Sequence, residues 1–187
     1  MPEEKRRRLV LAARRNRLAE QFKALEFYHD ENRVKPWMAQ QLGGLRADVR
    51  HCGAFMPSHG QTTIFPLETG IRQTLAHLAD LERELQQVEP NGMTQEQART
   101  RLALAKAPLE RVLHLLEGCQ AYAEEVEARQ QDDLERADAK MAEARAHFIG
   151  SGFPEAALKE LTTLIRRHVP ENLRITRSFR APENFQV

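Results

Sequence analysis

Residues 94–130 read TQEQARTRLALAKAPLERVLHLLEGCQAYAEEVEARQ, and their spacing decides the fold. Ala98, Leu102, Ala105, Leu109, Val112, Leu116, Cys119, Ala123 and Val126 recur in strict 4-3-4-3 steps. Apolar residues at that interval line one seam of an α-helix that packs lengthwise on a neighbour. Thr94 and Gln97 open the helix as a capping box, in which the hydroxyl accepts the Gln97 main-chain N–H and the amide reaches back.

Upstream, Leu67, Ile71, Leu75, Leu78, Leu85 and Val88 form a second stripe, stopped by Pro90-Asn91-Gly92. A connection this short makes the two helices antiparallel neighbours. Downstream, the seam breaks at Gln130 and resumes one residue out of phase at Leu134, Ala137, Met141, Ala144 and Phe148. Such an offset is what a stutter in a continuous helix produces. On that reading one arm runs from Pro108 to Phe148, roughly 60 Å at 1.5 Å per residue, with a kink or fresh start at Pro108. The expected fold class is all-α: a helical bundle built on an antiparallel helical hairpin with one long coiled-coil-like arm.

Three regions flank and include this hairpin. Residues 1–58 form a basic N-terminal helical region, 59–153 the hairpin, and 154–187 a C-terminal helix and basic tail. Their charge balances are +5, −6 and +2, which the total of +1 conceals. In the first region a helix is expected from about Pro2 to Tyr28, with Leu11, Leu18, Phe22 and Leu25 as its apolar stripe. Asp30 or Asn32 would end it or cap a second helix over Pro36–Leu42, which Gly43-Gly44 should break, with a restart over Leu45 to Arg50. Residues 51–66 read as a loop with a short extended piece at Thr62 to Phe65. At the other end, Phe153-Pro154 begins a helix through Val169, Pro170 stops it, and residues 171–187 form an extended tail.

Composition narrows the functional classes. No apolar run reaches the ~18–20 residues needed to cross a bilayer, and LVLAA at 9–13 is too short for a signal-peptide core. Cys52 and Cys119 have no CxxC partner, which suits a reducing compartment. The expected setting is cytoplasmic, with no membrane contact.

Residues 5–17, KRRRLVLAARRNR, hold seven cations and no anion: Lys5, Arg6, Arg7, Arg8, Arg14, Arg15 and Arg17. Cations so clustered repel one another and oppose the helix dipole, a cost that a polyanion or an acidic surface would offset. Arg166, Arg167, Arg174, Arg177 and Arg180 make a second basic group, with Phe179 among them to stack a base. The competing reading pairs the N-terminal arginines with the chain's own acidic stretch, Glu124 to Asp138.

Catalytic and metal signatures are weak. His51, Cys52 and His59 lack a convincing fourth ligand, and His77, His114 and Cys119 fall in helices where packing explains them. Ser58-His59 has no nucleophile-elbow context, and no phosphate-cradling glycine loop is present. The carboxylates at 124–135 read as the wet side of a helix. Neither a cofactor nor a metal is expected. The sequence therefore points to a non-enzymatic accessory protein of bacterial type. It would bind nucleic acid through its basic N-terminal helix, assisted by the C-terminal arginines, and dock or self-associate through the hairpin. The alternative is a protein–protein module, an oligomeric scaffold or an inhibitor of a partner, without direct nucleic-acid contact.

Overall fold

The capping box at Thr94 forms as the sequence dictates: Gln97 N–H donates to the Thr94 hydroxyl at 3.2 Å and Thr94 N–H to the Gln97 amide oxygen at 3.0 Å. The computed structural model describes residues 2–50, 57–58, 61–62 and 65–178, with side chains over 2–47, 49 and 70–168. The fold is all-α. Its helices are α1 (Glu3–Lys23), α2 (Glu31–Arg50), α3 (Phe65–Leu85), α4 (Gln95–Gln130), α5 (Leu134–Ser151) and α6 (Glu155–Ser178). A 3-10 turn at Ala24–His29 follows α1, and a two-residue antiparallel ladder pairs Pro57 with Thr62 and Ser58 with Gln61.

All nine seam residues of α4 are buried. They serve two compact units, Met1–Ala39 with Gly70–Glu110, and Gln40–Thr69 with Arg111–Val187. In the first unit Leu18, Phe22 and Leu25 meet a core that includes Ile71, Leu78, Leu81, Leu85, Ala98, Leu102 and Leu109. Gly92, at φ +74°, makes the turn between α3 and α4. Tyr28 stands edge-on to Phe27 and Trp37 at 5.3 and 6.5 Å between ring centroids. In the second unit Leu45, Val49, Val112, Leu116, Cys119, Ala137, Ala144, Leu161 and Ile165 are buried, and Arg46 reaches Glu160 at 2.7 Å.

The single long arm expected over Pro108–Phe148 is two helices. α4 passes through Pro108 without a break and ends at Gln130. There Asp132 takes the left-handed conformation at φ 57°. Its N–H donates to the Arg129 carbonyl at 3.2 Å, and Asp133 N–H to the Ala128 carbonyl at 3.0 Å. This is a Schellman closure with aspartate where glycine is usual. Asp133 then caps α5 by accepting the Arg136 N–H at 3.1 Å. The one-residue phase offset marks this tight turn, and α5 runs back antiparallel to α4.

Three other boundaries differ from expectation. α2 continues through Gly43-Gly44; the glycines cost about 1 kcal/mol each relative to alanine, and burial of Met38, Leu45 and Val49 on either side outweighs that. α3 starts at Phe65, and the described extended piece is Gln61–Thr62; of the expected Thr62 to Phe65, residues 63 and 64 lie outside the described residues. α6 runs past Pro170 to Ser178, so residues 171–178 are helical in place of the expected extended tail, and 179–187 lie outside the described residues. A proline forfeits one ladder hydrogen bond without obliging the helix to end, and α2 and α4 carry Pro36 and Pro108 in the same way. No described helix is long and apolar enough to cross a membrane.

Candidate nucleic-acid interface

The basic stretch folds as the first two-thirds of α1. Pro2 precedes the helix, and Glu3 and Glu4 sit in its first turn, where carboxylates favour the positive end of the helix dipole. Arg7 pairs with Glu3 at 2.5 Å and Arg8 with Glu4 at 2.6 Å, each four residues on and largely in solvent. Lys5, Arg6 and Arg17 are exposed and pair with no described residue.

Arg14 and Arg15 behave differently. Arg14 Nε lies 3.4 Å from Glu84, its Nη2 donates to Gln87 at 3.4 Å, and Arg15 Nε donates to the Glu89 carbonyl at 3.0 Å. Asn91 completes the join, giving its N–H to the Arg15 carbonyl at 3.2 Å and its amide to Asn16 at 2.8 Å. The turn between α3 and α4 thus ends beside Arg15 and Asn16, and among the described residues no such hydrogen bond to another helix is made by the residues before Arg14. Every residue from Pro2 to Ala13 is exposed. Eleven residues, Glu3 to Ala13, project about 16 Å at 1.5 Å per residue.

That overhang corrects the expected apolar stripe. Leu18, Phe22 and Leu25 are buried, whereas Leu11 is 48 % exposed although it continues the same helix face. Leu9 and Val10 are exposed as well. The stripe outruns the helices that would cover it.

The acidic stretch has partners of its own. Lys140 reaches Glu124 at 2.7 Å, Arg129 binds Glu125 and lies 3.7 Å from Asp138, and Arg136 lies 4.0 Å from Glu127. The hydrogen bond from Glu124, with a second from Glu143, raises the Lys140 ammonium above its ordinary value. In the second basic group, Arg166 is spent on packing: it donates to the Tyr122 hydroxyl at 2.5 and 3.1 Å and lies 5.9 Å from that ring's centroid. Arg167 is exposed. Arg174 and Arg177 belong to the α6 backbone without described side chains, and Arg180 lies outside the described residues, as do His51, Cys52 and His59.

A constellation that sequence reasoning missed lies between α4 and α5. His114 and Glu117, one turn apart on α4, meet His147 of α5. Nδ1 of His147 stands 3.1 Å from Nδ1 of His114 and 3.3 Å from a Glu117 carboxylate oxygen. The three ligand atoms lie within 4.8 Å of one another. Small residues permit this approach. A Cβ added at Gly118 would fall 2.7 Å from the Phe148 ring and 3.3 Å from His147 Cβ; one at Gly150 would fall 3.1 Å from the His114 ring. Nearby Cys119 is fully buried, and burial pushes its thiol far up, away from the thiolate a nucleophile or ligand needs. No family model, curated protein or solved structure matches this chain.

Proposed function

We propose that the protein binds nucleic acid through the projecting half of α1, in a non-enzymatic accessory role. One observation carries this reading: residues 3–13 are exposed throughout and hold four consecutive cations, two without a partner among the described residues and two held only by exposed ion pairs. Exposed pairs of this kind are worth about 0.3–0.5 kcal/mol and yield readily to a phosphate. A helix about 10–12 Å across, side chains included, matches the ~12 Å width of the B-DNA major groove. Arg17, on the same helix, adds to the charge available, whereas Arg14 and Arg15 are tied to the fold.

The test is the salt dependence of binding to a duplex DNA oligonucleotide, with the wild type set against the joint change of Lys5, Arg6, Arg7 and Arg8 to Ala. Alanine keeps the helix, so folding is preserved. Loss of four phosphate contacts should flatten the log–log salt slope by about 3.6, and wild-type affinity should fall at least a hundredfold between about 50 and 200 mM salt. An unchanged slope, or no binding of DNA or RNA by the wild type, overturns the reading.

A second reading, a protein–protein module, draws on Leu9, Val10 and Leu11, which phosphate binding does not require. The α4 seam is already spent on the chain's own core, so this reading moves to the same overhang. Changing those three residues to Ser would abolish a protein contact and leave the salt slope on DNA intact.

A further inference from the structure

We propose that His114, Glu117 and His147 bind one divalent first-row transition-metal ion between α4 and α5. The reading is independent of nucleic-acid binding at α1. Two imidazoles and one carboxylate form a ligand set suited to zinc and its neighbours in the series, and the Glu or His spacing of one turn on a helix aims both groups at the facing helix of a bundle.

The distances fit the ion. Metal–nitrogen and metal–oxygen bonds of about 2.0–2.2 Å in tetrahedral geometry place neighbouring ligand atoms about 3.3–3.6 Å apart, within a few tenths of an ångström of what the cluster shows. The two separations at His147 Nδ1 are 3.1 and 3.3 Å. Between two neutral imidazoles only one proton can occupy the 3.1 Å gap, and a cation replaces that hydrogen bond with two bonds to nitrogen. The carboxylate completes the set and partly neutralises the added charge.

The backbone is shaped for the same cluster. Gly150 lets the His114 ring lie against α5, and Gly118 clears the space beside His147 and Phe148; a side chain at either would push a ligand out of line. Arg111, one turn before His114 on α4, donates to the Ser151 and Gly152 carbonyls at 2.9 and 3.0 Å and lies 5.7 Å from the Phe153 ring centroid, which ties the end of α5 to α4 beside the cluster. The side chains of His147 and Glu117 are each about one-quarter exposed, so an ion has a way in and water completes its coordination.

The experiment titrates chelator-treated full-length protein with Co²⁺ at neutral pH, reading the visible bands of the bound ion, followed by competition with Zn²⁺. One ion per chain is expected, with His114→Gln, Glu117→Gln and His147→Gln each weakening affinity at least tenfold while helix content by circular dichroism is kept. Wild-type protein that shows no bound-ion bands and retains no Zn²⁺ after desalting overturns the proposal. So do variants that bind as the wild type does, since the ion then sits elsewhere. Should a variant lose its helices, the ring ¹⁵N shifts of wild-type His114 and His147 on Zn²⁺ addition decide: movement of both supports the site, and no movement overturns it.

Discussion

The first half of α1 and the second half of α4 are both helical and both rich in leucine, valine and alanine, yet they do opposite work. From Glu3 to Ala13 every residue is exposed. From Val112 to Ala128 the only residues not buried are half-buried. Their apolar content does not separate them; periodicity does. In α4 the apolar residues return every three or four positions and meet a partner helix, so burial holds the helix. In α1, Leu9, Val10 and Leu11 are consecutive and point three ways, and the stripe that Leu11 shares with Leu18 outlasts its support. A helix that the fold does not need for its core is free to meet something else.

The sharpest way to break that comparison is one substitution in each region. Leu116 is 1 % exposed, and Leu116→Ala should cost about 2–5 kcal/mol through lost transfer energy and the cavity left behind. Leu11→Ala should stay within about 0.5 kcal/mol of wild type, since little area returns to water. Denaturant midpoints of both variants check this. A large loss at Leu11 would show that the overhang is packed in solution.

Much of this contrast was legible in the sequence. The seam from Ala98 to Val126, the capping box at Thr94 and the Pro90-Asn91-Gly92 stop follow from local chemistry, which the fold leaves intact. The turn at 131–133 escaped because EARQQDD contains neither glycine nor proline, and an aspartate takes the left-handed position. Gly43-Gly44 and Pro170 misled for the converse reason: residues that punctuate loops were overruled by packing and by helix continuity. The His114–Glu117–His147 cluster left one trace, a histidine and a glutamate one turn apart. Its third member is thirty residues downstream, and only the antiparallel return of α5 brings it near. The phase offset at Gln130, read as a turn instead of a stutter, was the signal that could have found it.

A smaller effect is expected at Lys140, where α5 answers the carboxylates of α4. Its ammonium bonds Glu124 at 2.7 Å and Glu143 at 2.9 Å, and these bonds raise it above the ordinary 10.5. A raised folded value means the contribution is fully present below about pH 10.5 and fades as pH climbs through the folded value. Lys140→Gln should therefore cost about 1 kcal/mol at neutral pH, more than a surface pair because both partners are partly buried. The gap between wild type and variant should close under strongly alkaline conditions. A gap that persists there would mean that Lys140 acts through its aliphatic stem.

The smallest expected effect tests whether the overhang is built to be given up. Glu3 precedes Arg7 by four residues, the better orientation for a helical ion pair, and lies in the first turn, where a carboxylate suits the dipole. Even so, both side chains are more than three-quarters exposed, and solvent screens them. A double-mutant cycle of Glu3→Gln and Arg7→Gln should give a coupling of about 0.3–0.5 kcal/mol at low salt and almost none near 1 M, where the Debye length falls to about 3 Å. Arg7→Gln alone should nevertheless remove about 0.9 from the salt slope of DNA binding. That pair of outcomes, little effect on folding and a measurable one on polyanion binding, would support the proposed role of α1. Coupling above about 1 kcal/mol would instead make Glu3 the intended partner of Arg7, and the four cations part of how α1 holds itself together.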